Sequence, residues 1–437
     1  MHTIDKICEI PATPENGGFY MFHKLSKEQI IGNSHGHHKY PAKFIPQFPK
    51  WALSQAGDSK SITVLDPFCG SGTTLVEAGL HGARVIGTDI SDVAIQISKA
   101  KTSTIFESKL NEYYKNLQEV LHNAATLDYQ LTLDFEGNIG KNCHSMDKTW
   151  SNWFEPNDIA KIIAIRKSIH ALVDTEIKDI LLSSLSSIIK KCSYLDEDQI
   201  KVKKIKDKVI PEVYEVYFES TKRLIDSHLE TSKKYLNSKP EFYIKKASAT
   251  DTKLQKNSID IVVTSPPYIN AIDYTMAHKY SMFALGLVKP EEFKEHCHEY
   301  IGVTERAVRV KHYEQDLTFE SNTKIQNLIE ELRKINTTTS KNRSYVVWQY
   351  FTLMKGFFIE MRRVLKQGGK MTFVVGEYNN ICNINVPTAE LLQDLAVDAG
   401  FNVENKFYHV INNRSGMRLN RNSAGGSIKN EIVFVFN

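Results

Sequence analysis

No stretch of about 18 uncharged apolar residues occurs in the 437-residue chain, so no membrane-spanning helix is expected. The N-terminal run Met1-His2-Thr3-Ile4-Asp5-Lys6 has no apolar block that would act as a secretory signal. Cysteine is sparse and unpatterned. Cys8, Cys69, Cys143, Cys192, Cys297 and Cys382 show no close pairing, which argues against a disulfide frame or a zinc site and for reduced thiols in a cytoplasmic protein. Internal repeats and low-complexity tracts are missing, which argues against a solenoid or a disordered linker chain. No strong charge bias is present either: a net charge of +4 permits a polyanionic partner without demanding one. Two common nucleotide fingerprints, G-x-G-x-x-G and the Gly-Lys-Ser/Thr phosphate loop, are absent from the glycine-rich turn discussed next. What remains is a chain 41% apolar, long enough for two domains or one elaborated domain around a sizeable core.

The stretch that organises it is Asp66-Pro67-Phe68-Cys69-Gly70-Ser71-Gly72-Thr73-Thr74. Before it, Ile62-Thr63-Val64-Leu65 reads as a buried strand, and after it Leu75 to Leu80 reads as a helix. A strand, a glycine turn and a helix N-terminus present backbone N–H groups to a ligand. A second strand, Arg84 to Thr88, ends at Asp89, at the spacing of about 20 residues where a carboxylate accepts ribose hydroxyls in nucleotide-binding βαβ units. Ser91 then caps a helix.

Ahead of this loop lies His35-Gly36-His37-His38-Lys39-Tyr40-Pro41-Ala42-Lys43-Phe44-Ile45-Pro46, followed by an expected helix from Gln47 to Ala56. Three histidines in four positions without a Cys or acidic neighbour are a poor metal set. The prolines predict an extended, stiff lead-in. From 103 to 240 the strand–helix alternation gives way to helical periodicity over Ile159–Leu172, Thr175–Lys191 and Val209–Tyr235. Five lysines fall within Lys201 to Lys208, either a solvated face or a phosphate contact. Trp150, Trp153 and Phe154 read as packing residues.

Strand logic resumes at Glu241 to Ile244 and leads to Asp251, and Ser258 to Val263 is a buried strand running into Thr264-Ser265-Pro266-Pro267-Tyr268. Prolines at a strand C-terminus stiffen a turn where ligands bind in open α/β sheets. The Ser265 hydroxyl and the Pro266 carbonyl can accept hydrogen bonds from an exocyclic amino group. Tyr268 offers a ring face to an extruded base. The next stretch, Asn270 to Tyr280, is polar, aromatic and basic and is expected to order near the bound target, with a satisfied buried imidazole the alternative for His278. Residues 289–345 are charged and mainly helical, and then come helix Tyr350–Leu365, a turn at 366–370, strand Met371–Val375 and helix Thr388–Ala399. An antiparallel pair, Val403–Ile411 and Glu431–Phe436, ends the chain, with Arg414, Arg418 and Arg421 in the loop between.

The loop Asp-Pro-Phe-x-Gly-Ser-Gly-Thr-Thr and the turn Ser-Pro-Pro-Tyr together resemble the amino-group DNA methyltransferases of the N4-cytosine/N6-adenine family. The resemblance covers residues 35–100 and 241–437. It implies a seven-stranded, Rossmann-like class I methyltransferase sheet of α/β type: core over 1–102, a helical insertion over 103–240 with a role in target recognition, and core again over 241–437. It implies S-adenosyl-L-methionine held by Tyr40, Pro41, Phe44, Asp66, Phe68, Cys69, Gly70, Gly72, Thr73, Thr74, Asp89, Ile90, Asp251 and Ser265. In this reading Asp251 faces the adenine amino group, and Ser265, Pro266, Pro267 and Tyr268 form the catalytic turn. No metal is implied. The implied partners are double-stranded DNA and a cognate restriction endonuclease acting on the same site. Serine at 265, where many adenine-modifying relatives carry aspartate, favours N4 of cytosine over N6 of adenine. An RNA amino-methyltransferase and a silent binding module are the rival classes, the latter predicting a degraded loop where Asp66, Gly70, Gly72 and Asp89 stand intact.

Overall fold

The computed structural model describes residues 8–22, 25–41, 44–56, 62–137 (backbone alone over 129–137), 150, 152–173, 176–200, 202–269, 272–302, 308–411 and 429–437. The arginines at 414, 418 and 421, Cys143 and Lys201 lie outside these residues. Among the described residues, one sheet of eight strands is built from β1 (Phe19–Tyr20), β2 (Thr63–Asp66), β3 (Arg84–Asp89), β4 (Glu241–Lys246), β5 (Ile259–Thr264), β6 (Leu365–Gly376), β9 (Val403–Val410) and β10 (Asn430–Phe436). A small hairpin, β7 (Asn379–Ile381) with β8 (Ile384–Val386), stands apart.

The order across the sheet is β1-β9-β10-β6-β5-β2-β3-β4. Every neighbouring pair is parallel except the two that involve β10. Seven of these strands meet the α/β expectation. The eighth, β1, comes from a stretch whose two paired residues carry no readable period. The turn expected at 366–370 is instead absorbed into β6, where a register shift against β5 and a left-handed Gly368 take up the irregularity.

Successive residues on a strand face opposite sides, and the sheet is covered on both. Leu65, Ile86 and Val262 pack with Phe357, Phe358, Met361 and Leu392 from helices Thr338–Val364 and Thr388–Asp398. Their neighbours Val64 and Val85 pack with Leu53, Leu75 and Ala78 from helices Gln47–Ser54 and Thr73–His81. Helix Thr338–Val364 begins well before the expected Tyr350, because Thr337 and Ser340 form a capping box at its start.

Helices Leu110–Gly137, Pro156–Ala171, Lys178–Ile188 and Val213–Ser238 fill the connection between β3 and β4. Their buried residues form one cluster with Val93, Ile97 and Ala100 of helix Asp92–Thr102 and with Tyr280 and Phe283 of helix Tyr274–Leu285. Trp150 and Phe154 are packed inside this cluster, with Trp150 5.9 Å from Phe283 and Phe154 5.6 Å from Tyr280. The lysine run is partly tied to the protein: Lys208 donates to the carbonyls of Lys190 and Leu195, and Lys204 donates to that of Asn152. These bonds favour a structural role over phosphate contact for those two lysines.

The expected extended lead-in is a correction. His35–His37 is a buried 3₁₀ turn, and its histidines reach three different helices. His35 Nε2 lies 2.6 Å from Glu77, His37 Nε2 is 2.9 Å from Ser227 Oγ, and His38 Nε2 is 2.9 Å from Ser186 Oγ. The three polar side chains waiting for imidazoles leave the turn more favourable than an extended chain, a long-range effect invisible in local sequence. Among the described residues no cluster of His, Cys, Asp and Glu is disposed to hold a metal ion, and no helix is long and apolar enough to cross a membrane.

Because the helical stretch shares its core with helix Asp92–Thr102, it should unfold with the sheet. Ile165→Ala, at a fully buried position, should cost about 2–5 kcal/mol. Urea transitions followed by tryptophan fluorescence and by far-UV dichroism should shift together, and separated transitions would show an autonomous unit.

Candidate active site

The C-terminal ends of β2, β3 and β5 and the segment after β4 open on one cleft. Its floor is the 66–73 loop. Gly70 and Gly72 have φ of +48° and +77°, and a Cβ on Gly70 would sit 3.3 Å from the Tyr40 ring. Gly72 is the N-cap of helix Thr73–His81, which leaves that helix's first N–H groups turned to the loop.

Two carboxylates hold this loop. Asp89 at the tip of β3 accepts from the Gly70 and Ser91 N–H groups, each at 2.9 Å. Asp66 accepts from the Thr264 hydroxyl at 2.7 Å and the Phe68 N–H at 3.1 Å. Burial pushes both carboxyls up from 3.8 to about 6, and the hydrogen bonds resist that shift. Burial likewise pushes the Cys69 thiol up, so it is held as a neutral thiol, with the Ser98 hydroxyl 3.6 Å from its sulfur.

Ser265 and Pro267 open on the same cleft, immediately after the Thr264 that Asp66 holds. Pro266 is buried beneath them. Tyr268 sits differently from the expected stacking platform. It packs partly buried against the main core, and its hydroxyl donates to Glu431 Oε1 at 2.9 Å. Glu431 Oε2 in turn lies 3.1 Å from His409 Nδ1. Burial, then the neighbouring Glu431, raise the Tyr268 phenol well above its ordinary range.

Of the residues named from the sequence, Tyr40, Phe44, Asp66, Phe68, Cys69, Gly70, Thr73, Asp89, Ile90, Ser265 and Pro267 line the cleft. Pro41, Gly72, Thr74, Pro266 and Tyr268 stand behind that lining. Asp251 is exposed and pairs with Lys253, and Ser248 and Ala249 line the cleft at that strand end. Its position just beyond the lining follows from a turn in which the Asp251 N–H donates to the Ser248 carbonyl. Sequence reading missed Ser91, Ser248, Tyr274, Glu299, Tyr300 and Ile301. Tyr274 falls in an aromatic stretch that follows the proline turn and carried some signal. Glu299 to Ile301 sit in a charged stretch with no strand–helix rhythm, and nothing local marks them.

A parallel sheet with one reversed strand near its edge, a glycine loop after β2, an acidic tip on β3 and a proline turn after β5 define a class I methyltransferase fold. Residues 20–100 match the family model described as DNA methylase, of the N6/N4 group. The chain is 26% identical, over 99% of its length and 94% of the other's, to the Type II methyltransferase M.MvaI of Kocuria varians. It is 26% identical to the Type II methyltransferase M.BsoBI of Geobacillus stearothermophilus over 87% of this chain and 80% of that one. A short match, 43% over 51 residues and 12% of this chain, is to a tRNA (guanine(10)-N2)-dimethyltransferase of Methanothermobacter thermautotrophicus. The rRNA methyltransferase aviRa of Streptomyces viridochromogenes aligns with 94% of each chain at 11% identity and a TM-score of 0.30, too slight a likeness to bear on fold or function. The chain is thus similar to the N6/N4 group of DNA methylases over residues 20–100 and to Type II methyltransferases over most of its length.

Likeness to methyltransferases implies S-adenosylmethionine, and the cleft fits such a ligand. The glycine at 70 leaves room that a Cβ would take, Asp89 presents a carboxylate, and the rings of Tyr40, Tyr274 and Tyr300 suit a cationic sulfonium. Both loop carboxyls titrate higher in the folded state than unfolded. The folded protein therefore binds more protons between about pH 4 and 6, and this contribution to stability is lost as pH rises through that window. Asp66→Asn, neutral throughout, should gain on the wild type by up to roughly 2–3 kcal/mol between pH 4 and 7. Urea midpoints of both proteins across that range test this, and parallel curves would contradict it.

Proposed function

We propose that this chain transfers a methyl group from S-adenosylmethionine to the exocyclic amino group, N4, of cytosine in double-stranded DNA, in a restriction–modification system whose endonuclease acts on the same site. The observation that carries the reading is the bond from Thr264 to Asp66, which sets the Ser265 turn and the glycine loop as two walls of one cleft. The relatives named as Type II methyltransferases support DNA as the substrate and the restriction context. The absence of an apolar span among the described residues is compatible with action in the cytoplasm.

Bound in this cleft, S-adenosylmethionine supplies a methyl group made electrophilic by its sulfonium. Asp89 would hold the ribose hydroxyls, with Ile90 beside it against the base, and Tyr40 and Phe44 would close the methionine side. The target's amino nitrogen is a poor nucleophile because its lone pair is delocalised into the ring. The Ser265 hydroxyl and the Pro266 carbonyl would accept its N–H bonds, favouring a pyramidal nitrogen with the lone pair free, and the remaining gain is positioning. Tyr268, anchored through Glu431, would keep the turn from rotating away.

Asp89→Ala should weaken S-adenosylmethionine binding by roughly 1.5–3 kcal/mol in calorimetric titration, since hydrogen bonds to a charged acceptor are lost. Unchanged affinity in the folded variant would remove Asp89 from the site. Ser265→Ala should lower turnover strongly with little loss of cofactor affinity. Mass analysis of digests after incubation with DNA and with RNA tests the substrate. N4-methylcytosine in DNA is expected, N6-methyladenine would overturn the base assignment, and methylated RNA alone would overturn the DNA reading.

A further inference from the structure

We propose that Glu299 accepts the hydrogen bond from the adenine amino group of the cofactor, the role the sequence assigns to Asp251. The inference rests on the S-adenosylmethionine reading above and specifies one end of that site.

Residues 299–302 form a wall that crosses the cleft in a known direction. Tyr300 lines the cleft together with Ser91, just after the tip of β3, and His296, three residues before Glu299, feels the charges of Asp92 and Lys246 at the tips of β3 and β4. At the other end, a Cβ on Gly302 would stand 3.6 Å from Pro267 of the catalytic turn. Glu299 thus belongs to the β3–β4 end of the cleft, and Gly302 to the β5 end. A nucleoside with its hydroxyls at Asp89 and its sulfonium towards Ser265 points its base away from β5, towards β4.

Beyond Ser91 and Tyr300 at the β3 tip, the polar side chains that line that end are Ser248 and Glu299. The Ser248 hydroxyl already shares a 2.8 Å bond with the Thr250 hydroxyl and accepts from the Thr250 N–H. Asp251 faces solvent, paired with Lys253. The Glu299 carboxylate has a 3.5 Å contact with His296 Nδ1, too long to saturate it, and its side chain is 48% exposed in the cleft wall. An acceptor-only carboxylate matches a 6-amino donor and repels the 6-oxo acceptor of a deaminated base.

S-adenosylhomocysteine and S-inosylhomocysteine differ at that position and are the probes. Calorimetric titration of the wild type should favour the adenosyl ligand by roughly ten- to a hundredfold. Glu299→Gln, whose amide offers both donor and acceptor, should bring the ratio close to one with an unaltered thermal midpoint. A wild-type ratio retained in Glu299→Gln, an equal loss of both ligands, or a collapse of the ratio in Asp251→Ala instead would each overturn the assignment. Asp89→Ala should weaken both ligands alike and keep the ratio. Failure of the wild type to bind either ligand would bring down the cofactor reading and this assignment together, whereas binding with an unmoved ratio would bring down this assignment alone.

Discussion

The hydrogen bond between the Thr264 hydroxyl and the Asp66 carboxylate is the contact on which the site depends. β2 and β5 are neighbours in the sheet, and each ends in a turn with chemistry of its own. Backbone pairing alone would align the strands and leave the turns free to splay. A shared carboxylate, buried and accepting from Thr264 on one turn and Phe68 on the other, removes that freedom. Burying it raises the cost of its charge, so the arrangement gives up stability to hold two loops in register. Asp89 does the same for the other side of the loop through the Gly70 N–H.

The surrounding architecture extends this logic. The chain leaves the sheet after β3 and returns at β4, yet the helices in between are not a loose appendage. They lean on helix Asp92–Thr102, and the histidines at 35, 37 and 38 tie the lead-in segment to Glu77, Ser227 and Ser186. Tyr40, shortly after this turn, lies tilted against His278 with ring centroids 4.7 Å apart and lines the cleft. The helical stretch therefore bears on the shape of the Tyr40 side of the cleft from behind.

What could be read in the sequence follows from where the determining forces are local. β2, the glycine loop and β3 are contiguous, and their apolar runs and glycines announce them. So does the Ser265 turn, because prolines act on their own backbone. The 3₁₀ turn at His35–His37 was hidden because its stabilising partners lie 42, 190 and 148 residues away. Glu299 and Tyr300 were hidden for the same reason, since a wall residue needs no periodicity. Asp251 was misleading in the opposite way. An acidic residue after a strand is also what an exposed turn selects, and here the turn at Ser248–Asp251 carries it past the cleft.

The anchor of Tyr268 has a consequence for how the protein comes into being. Glu431 follows Tyr268 by 163 residues. At roughly 5–20 residues per second, a ribosome produces the anchor on the order of 10–30 s after the turn it steadies. β10, which carries Glu431, is also inserted between β6 and β9. The growing chain thus carries both walls of the cleft well before the residue that anchors Tyr268, and that anchor is completed only once the C-terminal strand has been made.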